Sequence, residues 1–203
     1  MSLSGTLGYS HSKLFEQENE AIVRVPRQVM LTAEAIPSSF TEKFPEGTPI
    51  HALFAAYLCH GDPEDLEPYE LWRKTWPTRK DFEDCMPLLW PETLRSSLPP
   101  SISGRWRSIN KRKAKLDYES PHQNVLVQQE QRLNKAWETV TAVYPGTDWE
   151  AFSYYWLVVN TRSFFYLMPG QDPPEDRNDA MALVPFADYF NHSDVAVCMR
   201  VMF

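Results

Sequence analysis

Cysteine is scarce in this chain, with three in 203 residues. Cys59, Cys85 and Cys198 are odd in number, widely spaced and never in a Cys-x-x-Cys arrangement, so neither a disulfide framework nor a structural zinc site is implied. Also missing is a basic surplus: the formal net charge is −7 and the isoelectric point near 5.3. A chain that neutralises phosphates needs the opposite balance, so wholesale binding to nucleic acid or an acidic membrane is not expected. No basic stretch followed by an apolar core opens the sequence at Met1-Ser2-Leu3-Ser4-Gly5, so no secretory signal is read there. With the unpaired cysteines this points to an intracellular, reducing compartment, nucleus or cytoplasm. An uninterrupted apolar run is lacking too. Trp149 to Met168 nears spanning length but contains Asn160 and Arg162 and begins beside Glu150, so it reads as a buried helix and no membrane partner is expected. There is no internal repeat and no low-complexity tract.

What is present suits one domain. Of 203 residues, 43% are apolar and 13% aromatic, enough for a sizeable core. Residues Ala21 to Thr32 alternate apolar and polar side chains around Pro26, a pattern that predicts a strand with the proline at an edge or end. From Thr48 the period becomes helical, with Ile50, Leu53, Phe54 and Tyr57 on one stripe and Gly61 at the expected stop. Asp62-Pro63-Glu64 restarts a helix, because proline suits the first turn and acids favour its N-terminus. Trp76-Pro77, Met86-Pro87 and Leu98-Pro99-Pro100 then cut the chain into short helical pieces.

Ser103 to Val143 predicts a long helix or a pair broken near Ser120-Pro121. Its cluster Arg105, Arg107, Lys111, Arg112, Lys113 and Lys115 reads as a charged solvent-facing helix, with partner docking as the alternative. Tyr144-Pro145-Gly146-Thr147-Asp148 is a turn whose aspartate can cap the next helix, and Gln171 to Asp179 is an exposed loop. Strand-rich ends around a helical middle describe an α+β domain with an insertion. The divisions are 1–45, strand-rich; 46–147, mostly helical; and 148–203.

The tail of the chain carries Ala182-Leu183-Val184-Pro185-Phe186-Ala187-Asp188-Tyr189-Phe190-Asn191-His192-Ser193. Upstream stand Ile22-Val23-Arg24-Val25-Pro26, Val29-Met30-Leu31-Thr32, Pro87-Leu88-Leu89-Trp90-Pro91-Glu92 and Asn160-Thr161-Arg162-Ser163-Phe164. In this order they resemble the SET-domain protein-lysine N-methyltransferases of the Rubisco large-subunit methyltransferase-like class. The resemblance implies a SET-like β-fold with a large helical insertion, S-adenosyl-L-methionine as cofactor, and a protein substrate presenting a target lysine. It implies that Asn191 and His192 hold the cofactor, that Arg162 and Thr161 receive its carboxylate, and that Gly8 approaches it closely. Asp188, Phe164 and Tyr189 would line the substrate side. Each has a plainer reading beside it: Arg162 can pair with an acid, Asp188 can cap a short helix, and His192 can be a structural histidine.

Methyl transfer to an amine is an in-line displacement in which positioning supplies most of the rate, with effective molarities of about 10⁵–10⁸ M. The amine, with a reference pKa of about 10.4, must also lose its proton. Desolvation in a narrow channel beside a cationic sulfonium favours that loss, so neither a metal nor an acid–base dyad is needed. The family's catalytic tyrosine and Tyr-Gly segment have no counterpart up to Phe203, so no catalytic residue is assigned. These residues alone are expected to bind cofactor weakly and to turn over little. The same fold can serve a histidine acceptor, and a non-catalytic interaction module built on the helical middle is the rival of a different class.

Overall fold

A computed structural model of the chain describes residues 23–98, 125–168, 170–174, 176 and 179–189. Its described part combines many helices with one small sheet, a mixed α and β architecture. Helix α1 (Ser38–Thr41) leads to α2 (Ile50–His60), then come the short α3 (Pro63–Leu66), α4 (Glu70–Arg73), α5 (Arg79–Cys85) and α6 (Glu92–Arg95). The long α7 (Val125–Val143) and α8 (Trp149–Arg162) follow, and strands β1 (Ser163–Phe165) and β2 (Met181–Leu183) close the order. Among the described residues no helix is long and apolar enough to cross a membrane.

The core is built on α2 against α8. Ala52, Ala55 and Ala56 on α2 are fully buried with Phe54, and on α8 Phe152, Leu157, Val158 and Val159 are fully buried. Small alanine side chains on one helix beside bulky ones on the other suit close packing. Burying each large side chain is worth about 1.5–3 kcal/mol. Helix α7 adds Leu126, Leu133, Ala136 and Val140, a stripe at helical spacing.

Local signals start and stop most helices where the sequence places them. Gly61 closes α2 by donating its N–H to Tyr57 O at 2.7 Å. Asp62 caps α3 by accepting from Glu64 N at 3.0 Å, and Asp148 caps α8 by accepting from Ala151 N at 2.8 Å. Thr78 and Asp81 form a reciprocal capping box at α5. The start of α2 differs. Pro49 has no side-chain acceptor to offer, and the Ile50 N–H is taken instead by Asp179 Oδ1 at 2.9 Å from 129 residues away.

The strand expected over Ala21 to Thr32 is corrected. In its described portion Arg27–Val29 is a 3₁₀ turn, and Leu31 alone enters a sheet, as a bridge to Leu183. The alternation fails because Met30 and Leu31 are adjacent yet both buried. Leu31 belongs to the main core, whereas Met30 packs with Tyr166, Ala182 and Val184 in a second cluster. The expected buried helix over Trp149 to Met168 also stops early: Ser163 turns extended, at φ −83° and ψ 151°, and the chain runs on as β1.

Candidate functional site

Helix α8 ends at Arg162, and β1 carries the chain away from it. Strand β1 pairs antiparallel with β2 in the register Ser163 to Leu183, Phe164 to Ala182 and Phe165 to Met181. On the far side of β2, Leu31 exchanges two 3.0 Å hydrogen bonds with Leu183. Ser163 therefore faces Leu183, which fixes the end of β2 beside the end of α8. The chain must then turn sharply to return. It does so at Phe186, whose φ of +66° lies in the left-handed region. A bulky L-residue there costs about 1–2 kcal/mol, strain that the surroundings must hold in place. The 3₁₀ turn Ala187–Tyr189 follows.

This path delivers Asp188 onto Arg162. The guanidinium Nη1 donates to Asp188 Oδ2, with the side chains 18% and 2% exposed respectively. The other carboxylate oxygen accepts from the indole N–H of Trp72 on α4, at 3.1 Å. Both oxygens of a nearly buried carboxylate are thus engaged by donors, one of them cationic, as burial of a charge requires. Arg162 Nε is buried and has no hydrogen-bond partner among the described residues. An unmet buried donor of this kind costs about 1–3 kcal/mol, which the surrounding packing must offset.

An aromatic belt supports the site from α4 and α8. The Trp72 and Trp76 rings meet edge to face at 4.9 Å, and Trp76 meets Tyr155 likewise at 6.4 Å. Arg73 Nη2 donates to the Tyr155 hydroxyl at 2.7 Å, with its guanidinium 5.7 Å from that ring's centroid. Tyr154 donates to Pro77 O at 3.0 Å. Burial pushes the Tyr154 phenol above its ordinary range, Tyr155 adds to this, and the cations of Arg73 and Arg162 oppose it.

The remaining candidates are spread around this centre. Thr161 spends its hydroxyl on the helix, donating to Leu157 O at 2.8 Å. Phe164 packs against the second cluster of Met30, Tyr166, Ala182 and Val184. Tyr189 is 48% exposed and lies against Phe186, itself 45% exposed, with ring centroids 5.8 Å apart. Asn191, His192 and Gly8 lie outside the described residues, as does the basic stretch Arg105 to Lys115. No grouping of three or more potential metal ligands occurs among the described residues. Trp72 is not among the residues the sequence singles out, and no local signal marks it: its hydrogen bond with Asp188 spans 116 residues of sequence.

Comparison of the chain with protein-family models, with curated proteins and with solved structures finds no match.

Proposed function

We propose that the chain is a SET-like, S-adenosyl-L-methionine-dependent protein-lysine N-methyltransferase, with its cofactor pocket around the end of α8 and the turn after β2. The observation that carries this reading is the direct pairing of Arg162 with Asp188. Each comes from a different motif of the resemblance, and Asp188 stands three residues before Asn191.

The cofactor, when bound, supplies the methyl group. The chain's own residues bind and orient. Asp188, itself held by the Trp72 indole, anchors the guanidinium of Arg162 through Nη1, and the rest of the fork would receive a carboxylate. Asp188 has both oxygens occupied, so it shapes the acceptor side without serving as a base. The amine sheds its proton through desolvation instead.

Calorimetric titration with S-adenosylhomocysteine tests the reading. Saturable binding is expected, weakened about tenfold or more by Arg162→Ala and partly restored in Arg162→Lys, because lysine keeps the charge but not the fork. Unchanged binding in an Arg162→Ala variant that still melts cooperatively would refute it.

A further inference from the structure

A second feature adjoins Trp72 through Tyr69. The segment Arg27–Ala35 and the stretch from α3 to Tyr69 enclose an open cleft of about 640 Å³, within the size range of ligand sites, roughly 300–1,000 Å³. Its charged lining is Glu34, Glu64 and Asp65 against the single guanidinium of Arg27. Two further lining residues, Thr32 and Tyr69, are only 4% and 8% exposed. Neither hydroxyl has a hydrogen-bond partner among the described residues. Neither oxygen is sealed from solvent, so the pair is open to an occupant with N–H groups to offer.

We propose that this cleft docks a basic polypeptide segment, taking a lysine or arginine side chain that flanks the modified residue of the protein substrate. The inference rests on the methyltransferase reading for its meaning, but the binding itself does not. An excess of carboxylates repels a phosphate or a nucleotide and attracts a cation, and the whole chain at −7 steers in the same direction. An ammonium or guanidinium entering among the three acids would find Thr32 and Tyr69 in the lining as neutral acceptors. The cleft also adjoins the candidate site. Thr32 follows Leu31, which is hydrogen-bonded to Leu183 in both directions, and the Tyr69 ring lies 6.5 Å from Trp72, the donor to Asp188. A peptide anchored there is held by the same elements that position Arg162.

Fluorescence anisotropy on the cofactor-free chain tests this, using a labelled Lys/Arg-rich peptide and a copy with glutamine at every basic position. The basic peptide is expected to bind, and to bind more weakly as salt rises. The double variant Glu34→Gln with Glu64→Gln is expected to weaken binding about tenfold at low ionic strength and to flatten the salt dependence. Both side chains are exposed, so the variant should melt as the parent does. Tyr69→Phe with Thr32→Val is expected to weaken binding about threefold with the salt dependence unchanged. Equal affinity for the glutamine copy, or a charge variant that binds the basic peptide as tightly as the parent, would overturn the proposal. Cofactor titration separates the two readings: cleft variants should keep their S-adenosylhomocysteine affinity. A chain that docks the basic peptide yet never binds that ligand would sink the methyltransferase reading and leave the docking site standing.

Discussion

Along α2 and α8 most buried side chains are apolar. At the turn after β2 the elements are three residues long, one backbone torsion is strained, and the geometry is held by a guanidinium, a carboxylate and an indole N–H. The first region is non-directional: it secures that the helices associate. The second is directional and fixes where two side chains point. A scaffold of the first kind can carry the strain of the second, because the free energy spent at Phe186 is small beside that gained across the helix pair.

The largest way to break this contrast is in the helix pair. Phe54→Ala should destabilise the chain by about 3–5 kcal/mol, read from chemical denaturation, because a fully buried ring leaves a cavity the neighbouring alanines cannot fill. A drop of less than about 1 kcal/mol would mean that α2 is not the keystone of the core. Next comes Arg162→Ala, which leaves Asp188 nearly buried with one donor fewer. Stability should fall by about 2–4 kcal/mol, and Arg162→Ala combined with Asp188→Ala should cost less than the sum of the singles. Additivity would show that the pair is not coupled.

Comparable in size but confined to acid is the effect of His51, a polar residue inside the apolar region. It sits on α2 with Nδ1 3.3 Å from Arg132 Nη2. Desolvation, with the Arg132 charge adding and Asp176 opposing, lowers its pKa from 6.5 to about 4. The folded form therefore keeps the ring neutral where the unfolded chain would protonate it. The stabilisation is full above pH 6.5 and is lost as pH falls toward 4, on the order of 3 kcal/mol in all. His51→Gln should flatten the stability profile in that window, and an unchanged slope would count against the assignment. The smallest effect is at the turn. Phe186→Gly relieves the left-handed strain and should stabilise by up to about 1 kcal/mol, after allowing for the ring packing against Tyr189 that the glycine cannot supply. A clear destabilisation would show that the ring packing outweighs the torsion.

Legibility from the sequence follows the same division. The ends of α2, α3 and α8 are legible because each is set within four residues, by Gly61, by Asp62 with Pro63, and by Asp148. The Ala21 to Thr32 segment misleads because its alternation looks like one face buried, whereas Met30 and Leu31 serve two different clusters. At the candidate site, Arg162 and Asp188 can be named from their motifs, but not that they bind each other. Trp72 is invisible, as is the Leu31 to Leu183 bridge, since both depend on where distant segments meet in space.

The long-range cap on α2 has a consequence for how the protein is made. Ile50 is joined to the chain 129 residues before Asp179, so the first turn of the central helix begins life without its acceptor. The nascent helix is seated against its partner only after α8 has emerged, and its leading end is finished later still, when the approach to β2 arrives. Assembly of the innermost element is thus completed by a segment translated long after it.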